Sequence, residues 1–318
     1  MQLRHLAAPA LAVFAALALA LACTSTHEAA SRPVTLPPPV PTAEKPADFP
    51  GVHNVVAYGP GLYSGSVPEG DAGFESLANM GIRTIISVDG GAPEADEAES
   101  RGMRYVHFPV TYGGIDEERR LEITRAVRDL PGPVFIHCHH GKHRSAAASA
   151  AAAVALGRLD NDAAVSRMKV SGTAPNYTGL YACATESTVL TNAQISAAPN
   201  DFPSRWKTSG MVDSMVAIDA ANDQLKALEK AQWGVPKDHP DLVPGAVAGN
   251  LENLLRGLLS DHETTAKSEE FRDMLKSAAD AAQALEDGIV SKASTDDINA
   301  RMKTVAQSCK ACHQKYRD

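Results

Sequence analysis

The stretch VFIHCHHGKHRS, Val134 to Ser145, changes character halfway along. Its first half is a strand-like apolar run that ends at Cys138. Its second half holds His139, His140, Gly141, Lys142, His143 and Arg144, and it leads into the alanine-rich segment SAAASAAAAVALG. A strand, a tight loop and a helix N-terminus together collect backbone N–H groups around an anion. The same dipoles, with Arg144 nearby, favour the thiolate form of Cys138. A guanidinium grips two phosphate oxygens at once. The constellation suits a thiol that attacks phosphorus. The rival reading is a divalent-metal site on His139, His140 and His143. A cation beside Arg144 is electrostatically poor, so the phosphate cradle is preferred.

Outward from this loop, short apolar strands alternate with helical segments. RTIISVD (Arg83 to Asp89), RYVHFPV (Arg104 to Val110) and PVFIHC (Pro133 to Cys138) read as strands. Between the last two, Leu121, Ile123, Ala126, Val127 and Leu130 fall on one helical face. Strand, helix, strand with short links predicts an α/β domain with a mainly parallel sheet. Beyond Pro203 the period becomes purely helical. Four apolar stripes follow: Met211 to Leu228, Leu251 to Leu259, Phe271 to Ile289 and Ile298 to Tyr316, which predict an all-α four-helix bundle. The expected organisation is a signal peptide over 1–22, a Pro-rich tether over 23–50, an α/β domain over 51–190, a linker over 191–202 and the bundle over 203–318.

The run CHHGKHRS resembles the signature loop of the protein tyrosine phosphatase superfamily. It is similar in particular to the atypical dual-specificity phosphatases of plants and fungi and their bacterial relatives, with GLYSGSVPEGDAGFESLANMGIRTIISVD resembling that family's opening elements. The likeness runs from about Val52 to Ser187. It implies Cys138 as nucleophile, Arg144 as phosphate clamp, Ser145 as hydrogen-bond partner of the sulfur and His137 as support behind it. His139, His140, Gly141, Lys142 and His143 would form the substrate-binding loop, with Lys142, His140 and His143 making its mouth positive. The general acid of this family commonly lies after the strand corresponding to YVHFPV. Here that position falls near Tyr112, which is not an acid. Asp116 is the nearest carboxylate, and it reads equally well as the N-cap of the helix that follows.

The second motif is CKACH, Cys309 to His313, the attachment pattern of c-type haem. Cys309, Cys312 and His313 occupy i, i+3 and i+4 and share one helical face. The segment SCKACHQKYR behind three helices resembles the cytochrome c-prime family over about Phe202 to Asp318. The resemblance implies one covalent haem c, held by thioethers at Cys309 and Cys312 with His313 as proximal iron ligand and Arg317 near the haem edge. Met211 or Met215 would face the distal side of the iron, where plain core packing is the blander reading of each. An iron with a methionine suits electron transfer with a redox partner; an open iron suits a small gas. A homodimer is the family expectation.

Leu6 to Ala22 is an apolar run behind Arg4 and His5, short for a membrane-spanning helix, and it ends in ALAC with Cys23 last. This resembles the lipobox of bacterial lipoproteins, which would lipidate Cys23 and anchor the protein to a membrane in the periplasm; cleavage after ALA is the alternative. The net charge of −8 argues against a nucleic-acid partner. Cys183 reads as a small buried residue, or as a disulfide partner for Cys138. The expectation is an exported cysteine-dependent phosphatase, acting on a phosphorylated protein or a small phosphate ester through a phosphocysteine and fused to a redox- or gas-responsive haem domain. The alternative is a haem electron-transfer or gas-binding lipoprotein with an inert phosphate-binding domain.

Overall fold

The computed structural model describes residues 35–91, 93–206, 210–237, 239 and 242–316. The expected signal segment, Cys23 and Arg317 lie outside the described residues. The N-terminal part runs β1 (Ala47–Phe49), β2 (Val52–Ala57), β3 (Leu62–Ser66), α1 (Gly70–Asn79), β4 (Thr84–Ser87), α2 (Ala95–Glu99), β5 (Arg104–His107), α3 (Glu117–Asp129), β6 (Val134–Cys138), α4 (Arg144–Ala155), α5 (Asn161–Val170) and α6 (Thr178–Thr185). After α7 (Asn192–Ala197) come α8 (Met211–Lys230), α9 (Pro244–Leu259), α10 (His262–Thr265), α11 (Glu269–Val290) and α12 (Thr295–Tyr316). Among the described residues, no helix is long and apolar enough to cross a membrane.

The sheet has the order β1-β2-β3-β6-β4-β5. Strands β3, β6, β4 and β5 are parallel, and β1 and β2 join antiparallel at one edge. Strand β6 is therefore interior, buried on both faces, which is why VFIHC reads as a nearly unbroken apolar run. On one face Val134, Ile136 and Cys138 pack against α4. On the other, Phe135 meets Phe74, Leu77, Ile85 and Tyr105. Every residue of α4 is buried, because the helix touches β3 and β6 beneath it and α3, α5 and α6 around it. Alanine is the residue that lets a helix be enclosed on all sides at close approach. The expected α/β domain followed by a four-helix bundle is the architecture found.

Two boundaries differ from the sequence reading. Strand β1 lies inside the stretch read as tether and pairs with β2. The stretch read as linker carries α7, opened by a capping box of Thr191 and Gln194, and it packs on α3. Arg125 donates to the carbonyls of Ser196 and Ala198, and Arg128 to that of Asn192. Phe202 and Trp206 continue along the same domain and pack edge-on against Phe108. The signal was the pattern T-x-x-Q, outweighed by the polar and proline-rich composition around it.

In the bundle, α11 packs on both α9 and α12, and α8 packs on α9. Its core is built from Leu225, Leu228, Leu251, Leu255, Leu275, Ala282, Leu285, Met302 and Val305. The packing around α4 gives a direct test. Ala150→Leu inserts volume at a fully buried position. It is expected to cost about 1–3 kcal/mol, read as a lower urea midpoint for the N-terminal domain.

Candidate functional site

Cys138 ends β6 at the carboxyl end of the parallel strands, between β3 and β4, the crevice where open α/β sheets bind ligands. The loop 139–143 then turns into α4. Gly141 has φ of 71°, and a Cβ there would lie 2.2 Å from the carbonyl carbon of Gly65 and 2.3 Å from the nitrogen of Ser66. Only glycine fits where the loop crosses β3 this closely. Outer hydrogen bonds hold the loop in shape. Asn54, itself at positive φ, donates to the carbonyls of Gly141 at 3.0 Å and Ser171 at 2.9 Å. Thr173 donates to the Lys142 carbonyl at 2.6 Å.

The sulfur of Cys138 is 3.3 Å from the Ser145 hydroxyl, which in turn accepts from Ser64 at 3.0 Å. Arg144 is completely buried. Its Nη2 contacts Asp89 Oδ1 at 3.2 Å and donates to the Tyr112 hydroxyl at 3.2 Å, and its guanidinium carbon lies 4.2 Å from the Tyr112 ring centroid. Its Nε and Nη1 are buried without a hydrogen-bond partner. Unpaired buried donors are costly. Two of them on a guanidinium beside a strand–loop–helix cradle form a place for an oxyanion.

The loop histidines differ in charge. Burial pushes His143 down to about 4, and its ring stacks on Tyr177 at 4.4 Å. His143 is thus neutral and turned inward, so it does not add the positive charge expected of it at the mouth. Burial also lowers His139. Burial works the same way on His140, but the carboxylate of Glu286, 3.4 Å away, and then that of Asp287 outweigh it and raise the imidazole. His137 and Cys138 alternate to opposite faces of the sheet. The His137 ring shares a hydrogen bond with the Tyr105 hydroxyl and lies beside Phe135, held neutral by burial at about 3. Asp116 is exposed and caps α3 by accepting from the Arg119 N–H at 2.8 Å. Cys183 and Cys138 are free thiols; Cys183 Sγ accepts from Ile115 N at 3.3 Å and donates to the Gly179 carbonyl at 3.2 Å.

Sequence reasoning missed what covers this loop. A ridge of small or polar residues on α9, Gly245, Gly249, Asn253 and Gly257, lies against the N-terminal domain. Added Cβ atoms at Gly245, Gly249 and Gly257 would meet Tyr177 Oη at 3.2 Å, Tyr112 Oη at 2.9 Å and the Gly90 carbonyl at 3.2 Å. Asn253 Oδ1 accepts from Gly90 N at 3.3 Å. Arg256 reaches Asp89 Oδ2 at 2.9 Å and is braced by Glu252 at 2.6 Å. From α11, Glu286 Oε1 accepts from the Tyr112 hydroxyl at 3.1 Å and lies 3.4 Å from His140 Nε2. Burial alone would raise the Asp89 carboxyl; Arg256 and then Arg144 overcome it and hold it well below the usual carboxylate range. Burial outweighs Arg256 at Glu252 and, with the negative charges of Asp89 and Glu286, pushes it up to about 7. The spacing of four along α9 was the available signal for this interface, but small residues repeat for several reasons. Asn54 left no signal.

The second site is a cavity of about 600 Å³ in the bundle. Met211, Met215 and Ile218 of α8 face Cys309, Cys312, His313 and Tyr316 of α12 across it, with Phe271 of α11 at one wall. Its volume lies in the roughly 300–1,000 Å³ range of cofactor pockets. Val212 and Val216, largely exposed, line it too, so apolar surface there lacks a covering. Two half-buried free thiols, an imidazole and two thioethers around an apolar slot fit a haem.

Residues 261–317 match the family model described as Cytochrome C', which implies a haem cofactor. Among solved structures, the N-terminal part is similar to P. aeruginosa TpbA, at 22% identity over 48% of this chain and 94% of that one, with a TM-score of 0.39. It is also similar to human DUSP28, at 23% identity over 45% of this chain and 97% of that one, with a TM-score of 0.34. No curated protein matches the chain.

The Asp116 carboxylate has two assignable jobs that one variant separates. As a cap alone, Asp116→Ala lowers stability by about 1 kcal/mol and leaves turnover unchanged. As the general acid, it would lower kcat by about 10²–10⁴. The observed capping geometry predicts the first outcome, checked by urea unfolding beside steady-state kinetics.

The contact between the domains is also pH-dependent. His140 is raised above 6.5, so its share of the stabilisation is fully present below pH 6.5 and lost as pH rises through its folded value. For Glu286, burial is opposed by His140 and the net shift is below 4.5; its share is present above pH 4.5 and lost as pH falls through the folded value. The protection factors of α11 amides near Glu286, corrected for the intrinsic rise of exchange with pH, are expected to be highest between these limits and to fall at higher pH.

Proposed function

We propose that this protein is a cysteine-dependent phosphatase fused to a c-type haem bundle. The observation that carries the reading is the buried Arg144 guanidinium with two unsatisfied donors, in a loop that holds the Ser145 hydroxyl 3.3 Å from the Cys138 sulfur. In the first step the Cys138 thiolate attacks the phosphorus of a monoester. A sulfur–phosphorus bond forms, the ester P–O bond breaks, and the leaving oxygen departs with the electron pair of that bond and takes a proton from water. The loop N–H groups and Arg144 hold the three non-bridging oxygens as charge shifts between them. In the second step water attacks the phosphocysteine, releasing inorganic phosphate and the thiolate, which Ser145 stabilises by donating its hydroxyl. The segment Thr111 to Gly114, where an acid is expected, carries none. Substrates with good leaving groups, such as aryl phosphates, are therefore favoured.

Cys309 and Cys312 would form the thioethers of one haem and His313 would bind its iron, with Met211 or Met215, which line the same cavity, as a further candidate ligand. Bound there, the haem supplies one-electron redox chemistry or a gas-binding iron, and the contact between bundle and loop supports regulation of hydrolysis by that state. The hydrophobic leader and Cys23 support export to the periplasm on a lipid anchor. A phosphorylated protein or small phosphate ester, a redox partner or gas, and a homodimer complete the reading, with no nucleic-acid partner. The absent acid and the covered loop favour a second reading, a haem protein whose N-terminal domain binds phosphate esters without turning them over.

Hydrolysis of an aryl phosphate by the haem-loaded chain, with Cys138→Ser beside it, separates the two. Turnover that disappears in the variant and differs between ferric and ferrous protein is expected. Binding without turnover in every state supports the second reading. Cys309→Ala with Cys312→Ala is expected to leave no haem on the chain after denaturing electrophoresis.

A further inference from the structure

Glu286 is a carboxylate in the wrong place for a helical bundle. It is 2% exposed on α11, one residue past the core leucine Leu285. Its partners belong to the other domain: the Tyr112 hydroxyl at 3.1 Å, His140 at 3.4 Å and, through charge, His139 and Arg144. A buried carboxylate costs several kcal/mol unless cations and donors compensate it. The compensating groups here are those of the oxyanion loop. A donor chain runs from Arg144 Nη2 to the Tyr112 oxygen at 3.2 Å, and from the Tyr112 hydroxyl to Glu286 Oε1.

The neighbouring helix makes room for this arrangement. A Cβ at Gly249 of α9 would stand 2.6 Å from Glu286 Oε1. Glycine at this one position lets α9 and α11 close over the loop together. Beneath them Cys138 is 2% exposed and Arg144 fully buried, so the two groups that must meet a substrate are sealed. Arg256 adds a second tie by sharing Asp89 with Arg144.

We propose that Glu286 is an internal anion of the phosphate loop: the bundle closes the site with a carboxylate that competes with the substrate's phosphoryl group, and access requires α11 to withdraw it. This rests on reading the Cys138 loop as an oxyanion site. The same helix carries Phe271 at the wall of the bundle cavity, about 22 Å away along its axis at 1.5 Å per residue. Near Glu286 it is also held by α12, whose Arg301 donates to the Ala284 carbonyl at 2.7 Å. The helix that blocks the loop is therefore in direct contact with the elements that line the cavity.

The test uses the haem-loaded full chain and inorganic phosphate as probe. Alkylation of Cys138 by iodoacetamide is followed by peptide mass spectrometry while phosphate is titrated in. With Glu286→Gln, which keeps shape and removes charge, half-protection is expected at a phosphate concentration at least tenfold lower than in wild type. Asp280→Asn, on the exposed side of the same helix, is expected to behave as wild type. Gly249→Leu, which wedges α9 from Glu286 and Tyr112, is expected to speed alkylation in the absence of phosphate and serves if the glutamine variant does not fold. Equal or weaker phosphate protection in Glu286→Gln overturns the internal anion. Absence of protection in wild type and all variants, unchanged by Arg144→Lys, overturns the oxyanion site itself.

Discussion

The molecule is organised around one buried carboxylate. Asp89, two residues past β4, is 2% exposed and lies between Arg144 at 3.2 Å and Arg256 at 2.9 Å. Alone, neither arginine nor aspartate would be tolerated in the interior, because desolvating an isolated ion costs far more than a small domain can absorb. Together they make a three-membered chain of charges whose outer members come from different domains. One end sets the direction of the Arg144 guanidinium beside the loop 139–143. The other fastens α9 to the same loop.

This arrangement explains why the interface is polar where the bundle is apolar. Glu252, Asn253, Arg256 and Glu286 emerge from helices whose other faces carry leucine and alanine. Buried ion pairs seldom add net stability over a well-packed apolar contact, but they are unforgiving about position. A shift of one helical turn would leave several charges unpaired. The glycines at 245, 249 and 257 complement this by letting backbones approach, so that short side chains such as Asp89 and Asn253 reach their partners.

Much of both sites was legible in the chain. The loop from Cys138 to Ser145 announces itself because strand, turn and helix chemistry coincide within twelve residues with a thiol and an arginine. CKACH does the same at the far end, since its spacing brings two thiols and an imidazole to one helical face. Supporting residues were harder. Asn54 reaches the Gly141 carbonyl across 87 positions of sequence, and no local pattern encodes such a bond. His143 was expected at the mouth because it follows Lys142 in a basic run; the loop's curvature instead turns it onto Tyr177.

The sequence alone determined the two folds and singled out Cys138, Arg144, Cys309, Cys312 and His313 as candidates, because periodicity and short motifs are local by physical necessity. Tertiary structure alone decided that the two halves meet over the loop that follows Cys138. Contacts such as Arg256 with Asp89 and Glu286 with Tyr112 join residues 167 and 174 positions apart. Their worth comes from burial and charge compensation, which exist only once the elements are packed. Before folding, Glu286 is one carboxylate among many on an amphipathic helix; after it, the loop's own cations are what keep it buried.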